Sequence, residues 1–169
     1  MMQTDVLSAH TNQTGFLYVG RTRLKGFLAV CGTSAGTVNV WDVTTAPVTA
    51  AYARTGYTVT VTLTAHGLTT GQIIGLTFAP ASGVSATNGN YVVTVLSSST
   101  YTVTDINTGT IAASTACTQG TRWLTSFDTA ATTGTPQSVY AILPGEGMVA
   151  QNGLYAQMTN QDSFTVYYG

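Results

Sequence analysis

The clearest pattern of hydrophobic and polar positions lies between residues 57 and 64. Val59, Val61 and Leu63 share one parity there, and threonines occupy positions 58, 60, 62 and 64. Alternation with a period of two is typical of a β-strand that buries one face. The segment therefore predicts a half-buried strand.

Further strands are indicated directly after this one. The glycines of His66-Gly67 and Thr70-Gly71 break the chain, and Asn88-Gly89 predicts a tight reversal. Three more strands are predicted at 72–78, 91–96 and 101–104. Residues 57–105 thus form a small antiparallel unit, which ends at a predicted turn over 106–109.

The rest of the chain also predicts short strands. Residues 1–14 are polar without periodicity and predict an arm or an irregular edge, and residues 129–136 predict a flexible loop. The apolar run 27–30 indicates a strand that is buried on both faces. The remaining strands are predicted at 16–19, 23–31, 37–43, 121–127, 139–143, 148–150, 154–158 and 163–168. Because no segment carries a helical stripe, we expect an all-β protein with more than ten short antiparallel strands in sandwich or barrel-like layers.

Composition fits sheets and disfavours several functions. Only 7% of the residues are charged, against roughly 25% in an average globular chain, and 34 are threonine. A surface with few charges repels neighbouring molecules only weakly, which favours dense assembly. The alternative is a threonine-rich monomer that its hydroxyl groups keep soluble. A net charge of −1 gives no footprint for nucleic acid. No apolar run is long enough for a membrane helix, and the N-terminus does not resemble a secretory signal.

One basic cluster stands out. Arg21, Arg23 and Lys25 hold three of the five positive charges. The cluster can meet an acidic partner surface, or it can be a solvated strand edge. The two cysteines, Cys31 and Cys117, stand among small residues and are too few for a disulfide framework. We expect free thiols, which suit assembly in the cytoplasm, and a mutual disulfide is the alternative.

Residue patterns for catalysis or metal binding are missing from the sequence. His10 and His66 have no partner at ligand spacing, and we expect His66 to support a turn. Asp42, Asp105 and Asp128 stand at or near strand ends, where turn chemistry is the ordinary role of aspartate. No nucleophile motif, phosphate loop, zinc motif or calcium loop is present. The sequence therefore predicts no enzyme, no catalytic residue, no cofactor and no metal.

Aromatic residues leave a second kind of function open. Tyr52, Tyr57, Tyr91 and Tyr101 stand in or beside the central unit and could form a sugar-binding face. Aromatic residues in strands are more often packed in the core as cross-strand pairs. Trp41 is expected in the core for the same reason.

Two parts of the chain resemble bacteriophage virion proteins. The first is the central unit, whose blocks AHGLTTGQIIGL, NGNYVVTV and STYTVTD resemble units that recur in phage tail and other structural proteins. The second is split between the two ends and comprises RTRLKGFLAV, GTSAGTVNVWD, ILPGEGMVAQNGLYAQM and SFTVYYG. These segments resemble small phage structural proteins in which a short connection joins front and rear halves. In this chain roughly seventy residues intervene, so the resemblance implies an insertion between them.

The resemblance implies an outer β domain from residues 1–51 and 120–169, with a second β module inserted at 52–119. The implied function is a capsid decoration or cement protein that binds and stabilises the major capsid shell. A homotrimer on the virion surface, assembled in the host cytoplasm, is the implied state. The expected capsid contacts, the N-terminal arm apart, are Arg21, Arg23 and Lys25. The alternatives are a tail or head–tail adaptor component and a virion-surface module that binds host glycans.

Overall fold

The computed structural model describes residues 6–81, 83–129 and 137–169, apart from the side chains of residues 113 and 114. None of these residues is helical and 68% are in strands, so the all-β prediction is confirmed. No helix of the described residues is long and apolar enough to cross a membrane. The strands found in the described residues are β1 Leu7–Thr11, β2 Gly15–Val19, β3 Thr22–Cys31, β4 Gly36–Asp42, β5 Val48–Thr62, β6 Ile73–Phe78, β7 Gly89–Val92, β8 Thr94–Val95, β9 Thr100–Gly120, β10 Arg122–Thr129, β11 Ser138–Ile142, β12 Met148–Ala150, β13 Gly153–Thr159 and β14 Gln161–Tyr168.

The chain divides into two compact units. The first contains the described residues of Met1–Ala46 and Leu124–Gly169, and the second is Pro47–Trp123. The second unit is longer at both ends than the 52–119 indicated by the sequence. At the front, β5 already pairs with β9 at Val48, and at the rear the Asn90 side chain forms hydrogen bonds with the backbone of Trp123.

Two antiparallel sheets build the first unit. One has the order β1-β14-β3-β11, with β12 also paired to β3, and the other has the order β10-β4-β13-β2. Side chains from both sheets form one hydrophobic core. Its fully buried members include Leu24, Ala29, Val38, Val40, Ala150, Leu154, Ala156, Phe164 and Val166.

Strand β3 is the centre of the first sheet, and its side chains alternate between core and surface. Phe27 and Ala29 are buried, whereas Leu28 and Val30 are only half-buried. The prediction that the run 27–30 is buried on both faces was therefore wrong, because one face of this sheet is partly open. Phe27 stacks on Phe127 in the core at a ring-centroid distance of 4.3 Å.

The second unit is built on a long antiparallel ribbon. β5 pairs with β9 from Val48 to Thr62, with two register shifts, and β9 also pairs with β6 and β8. β7 pairs with β6, so the strand order of this sheet is β5-β9-β6-β7. The second unit has a separate hydrophobic core that includes Tyr52, Val59, Val61, Ile74, Leu76, Val93 and Tyr101.

Further sequence predictions differ from the structure. Residues 7–11, predicted as an arm or an irregular edge, form the regular edge strand β1, because each of them pairs with a residue of β14. The predicted turn at 106–109 is part of β9, where Gly109 pairs with Gly56. Of the loop predicted at 129–136, residues 130–136 lie outside the described part of the chain, and Thr129 ends β10.

Candidate functional site

The basic cluster lies at the beginning of β3. Arg23 and Lys25 alternate with the buried Thr22 and Leu24, so both project from the face of the sheet opposite the core. Arg21 precedes the strand and is exposed. Both side chains are half-buried, and the Lys25 side chain is only 19% exposed.

The structure separates the three cations into two groups. Arg21 and Arg23 line a recess of about 170 Å³ together with Thr22, Val149 and Gly169. Lys25 instead faces Glu146, with Nζ 3.9 Å from Oε2, and the glutamate side chain is 78% exposed. Exposed ion pairs contribute little to stability. The Arg23 guanidinium also reaches the Glu146 carbonyl oxygen, at 3.5 Å.

An apolar edge adjoins this basic region. β11 pairs with β3 next to the cluster, and Ile142 lies opposite Gly26. Tyr140 is 57% exposed and Ile142 is 69% exposed. The Tyr140 ring contacts Tyr167 edge-on, with centroids 6.0 Å apart. Cationic and apolar groups thus share the outer face of one sheet.

Sequence reasoning did not identify a buried ion pair in the second unit. Arg54 of β5 and Asp105 of β9 form an ion pair with Nη2 2.9 Å from Oδ2, and both side chains are completely buried. Arg54 also donates hydrogen bonds to the carbonyl oxygens of Val84 and Ser85, at 3.0 and 2.7 Å. Further bonds reach the carbonyl oxygens of Gly56 and Asn107. The guanidinium therefore joins two strands to the loop before β7.

A sequence signal for this pair exists. Arg54 continues the inward-facing series of Ala50 and Tyr52 in β5, and Asp105 continues that of Tyr101 and Val103 in β9. Two opposite charges at core parity in neighbouring strands indicate a buried ion pair. Asp105 was predicted as a turn residue, but in the structure it is a core carboxylate.

Asp105 is fully hydrogen-bonded and affects a neighbouring tyrosine. Its oxygens accept from the backbone N–H groups of Thr87, at 3.0 Å, and Asn107, at 3.4 Å. Burial raises the pKa of Tyr91 above its usual range, the Asp105 charge raises it further, and the Arg54 charge opposes the shift. Carboxylate and guanidinium satisfy each other, which is the arrangement of a structural element rather than of a reactive one.

The other polar residues singled out in the sequence have structural contacts. His66 Nδ1 accepts from the Leu68 N–H at 3.0 Å, which confirms its predicted role in a turn. Asp42 is buried and accepts from the N–H groups of Gln151, Asn152 and Gly153 at 2.8, 2.7 and 3.2 Å. Asp128 accepts from the Thr37 hydroxyl. Among the described residues, no group of histidine, cysteine, aspartate and glutamate side chains could hold a metal ion.

The remaining predictions concern His10, the buried tryptophan and the cysteines. His10 contacts the Thr165 hydroxyl at 2.9 Å. Trp41 is buried, as predicted. Cys31 and Cys117 are free and buried, as expected, and no disulfide joins them.

The tyrosines divide between core and surface. Tyr52 and Tyr101 are buried in the core of the second unit, Tyr57 is exposed, and Tyr91 is half-buried. Of these four, Tyr91 lines a groove of about 570 Å³ whose other lining residues are Thr87, Asn88, Gly89, Asn90, Val92, Thr94, Thr104 and Ile106. Polar and apolar side chains both line the groove, and none of its lining residues is charged.

The described surfaces therefore include a basic recess, an apolar strand edge and an uncharged groove. Comparisons of the chain with models of protein families, with curated proteins and with solved structures find no match in any of the three.

Proposed function

We propose that this protein is a structural component of a bacteriophage virion, a decoration protein that binds the major capsid shell and stabilises it. The observation that carries the proposal is the pairing of the two chain ends. The segments at the front and at the rear that resemble phage structural proteins pair as β3 with β14 and as β4 with β13. The front and rear segments are thus far apart in sequence but adjacent in the structure, as they would be in a protein without the intervening residues.

The physical basis would be many weak contacts repeated by the symmetry of the shell. Multivalent attachment needs no strong individual contact, and a surface with few charges tolerates close neighbours. Arg21 and Arg23 at their recess are the proposed contacts with an acidic patch on the major capsid protein. Lys25, beside Glu146, is a weaker candidate. The homotrimer, the position on the capsid surface and assembly in the host cytoplasm are part of this proposal.

Binding to capsids tests it. Purified protein is added to expanded capsids that lack it, and co-sedimentation and the capsid melting temperature are measured. We expect saturable binding and a higher melting temperature. The double variant Arg21→Ser/Arg23→Ser should bind more weakly and with a smaller dependence on salt. Arg122→Ser, which changes an exposed arginine of the second unit, is the matched control.

Two results would oppose the proposal. The first is a chain that is folded but does not bind capsids at any salt concentration. The second is antibody labelling of tails or of the head–tail junction in electron micrographs of virions, which would favour the tail or adaptor alternative.

A second candidate function is binding of host glycans by the uncharged groove of the second unit. Its threonine and asparagine side chains supply neutral donors and acceptors, and Tyr91 supplies an aromatic edge. A glycan array probed with the intact protein tests this. Thr104→Lys should block the groove and abolish any signal, whereas Thr64→Lys, at an exposed position that is not among the groove residues, should leave it unchanged.

A further inference from the structure

The outer edge of β11 carries backbone groups that point away from the protein. On the inner side, the N–H of Cys31 donates to the carbonyl oxygen of Gln137, and the N–H of Leu143 donates to that of Lys25, both at 2.8 Å. Because alternate residues of a strand bond to opposite sides, residues 139 and 141 also face β3. Ser138, Tyr140 and Ile142 therefore direct their N–H and C=O groups outward.

No described residue pairs with this outer edge. β11 ends the strand order of its sheet. The hydrogen bonds of the described residues include none that involves the backbone of Ser138, Tyr140 or Ile142 on that side. Water can satisfy these groups in the isolated molecule, but an extended chain would satisfy all of them in one ladder.

The edge lacks the features by which proteins usually prevent strand addition. Its sequence, SVYAI, contains no charged residue and no proline. Its register with β3 runs from Ser138 to Ile142 without a bulge. Val139, Tyr140 and Ile142 are exposed apolar side chains. Only the shortness of the strand limits pairing.

We propose that β11 pairs with β11 of a second copy of this chain, antiparallel and across a two-fold axis at Tyr140. In this register Tyr140 faces its own symmetry mate, and Ser138 faces Ile142 of the other copy. All outward groups are then used, which gives about six hydrogen bonds from three facing pairs. If the register between the two copies is shifted by two residues, only two of the three facing pairs can form.

A second copy fits this edge for two reasons. An isologous contact requires a surface that complements itself, and a neutral strand meets its own image without charge repulsion. The apolar side chains at 139, 140 and 142 would be partly covered on both copies by the same contact. The contact links copies in pairs whatever else they assemble with, so it does not depend on the proposed function.

Proline substitution removes a hydrogen bond of the proposed contact between copies without removing one from the fold. Tyr140→Pro removes an N–H that points outward, and proline is tolerated at such edge positions. Tyr140→Val keeps the N–H and is the matched control. Sedimentation velocity over a range of concentrations should show pairwise association of the unchanged protein and of the valine variant, as a monomer–dimer equilibrium or, where the proposed homotrimer forms, as pairing of trimers. The proline variant should dissociate at least tenfold more readily, with an unchanged circular dichroism spectrum.

Cysteine cross-linking tests the register. Tyr140→Cys places two thiols opposite each other across the axis, at a Cα separation of about 5.5 Å that suits a disulfide. Cys31 and Cys117 are buried and do not compete in the folded protein. Mild oxidation should give covalent dimers from Tyr140→Cys and few from Val139→Cys. The proposal is overturned if the chain stays monomeric at all concentrations, if the proline variant associates normally, or if both cysteine variants cross-link equally.

Discussion

Arg54 and Asp105 neutralise each other in the interior of the second unit, where Nη2 lies 2.9 Å from Oδ2 and neither side chain is exposed. Removing one partner leaves the other charge buried without compensation, which destabilises by about 3–5 kcal/mol. We therefore expect Arg54→Met or Asp105→Asn to lower the free energy of unfolding of this unit by that order, measured by urea denaturation.

The double variant Arg54→Met/Asp105→Leu tests whether the destabilisation of the single variants comes from the unpaired buried charge. Since no charge then remains buried, we expect it to be more stable than either single variant. Arg21→Met, at an exposed position of the other unit, is the control and should change little. Single variants within about 0.5 kcal/mol of the unchanged protein would contradict a structural role for the pair.

Asp42 should fix the turn before β13. Its carboxylate accepts three backbone hydrogen bonds, from residues 151, 152 and 153, and its side chain is buried. Asp42→Ala removes the acceptor of the buried Gly153 N–H and of the partly buried N–H groups of Gln151 and Asn152, and an unsatisfied N–H costs about 1–3 kcal/mol where water cannot reach it. We expect clear destabilisation of the first unit and faster hydrogen exchange at Asn152 and Gly153. Unchanged exchange at these two amides would show that the carboxylate does not hold the turn.

Alkaline pH should destabilise the second unit. Burial raises the pKa of the Cys117 thiol to about 12 from an ordinary value of 9.0. Burial, and then the neighbouring Cys117, also raises the pKa of Tyr101 above its usual range. The folded state thus favours the protonated forms, so their contribution is complete below about pH 9 and is lost as the pH rises toward the folded-state values.

Urea denaturation at pH 8 and at pH 10.5 tests this expectation. The free energy of unfolding should be lower at the higher pH, and the decrease should be smaller in Cys117→Ala. Because the thiolate is the reactive form, Cys117 should also resist alkylation at pH 8 until the protein unfolds. Equal stability at both pH values would contradict the prediction.

How far the sequence predicts the structure depends on the origin of each element. The alternation of apolar and polar residues is sufficient to predict the strand around Val59, because a strict period of two is typical of a β-strand and not of a helix. Strand β1 has no such pattern, and its extended form comes from pairing with β14, which is distant in sequence. The segment around Gly109 resembles a turn locally, but β5 pairs with it and extends β9 through it. Long-range pairing therefore decides what local preference does not.

The candidate surfaces show the same division. The cluster of Arg21, Arg23 and Lys25 is evident from sequence. That Lys25 faces Glu146 while the arginines line the recess depends on the segment between β11 and β12, which is distant in sequence. Arg54 was overlooked because arginine usually lies at the surface. Its parity with Tyr52 was the available signal, and only the structure brings Asp105 to it.

Gly26 should be essential for seating β11 on β3. A Cβ atom at Gly26 would lie 2.7 Å from the carbonyl oxygen of Ala141, closer than backbone atoms allow. Gly26→Ala should displace β11 and destabilise the first unit by about 1–3 kcal/mol. Gly15→Ala is the matched control in β2, since no atom lies within 4 Å of its added Cβ. Thermal denaturation of both variants checks this, and equal melting temperatures would contradict it.

The second unit should be removable. Its first and last strands are neighbours, with Val48 paired to Gln119, so the chain enters and leaves this unit at nearby points. Each unit also has a hydrophobic core of its own. Deleting Pro47–Trp123 and joining Ala46 to Leu124 through a short glycine-containing turn should therefore leave a folded first unit. Cooperative thermal unfolding and dispersed amide resonances are expected for the truncated chain, and an unfolded product would show that the first unit depends on the second.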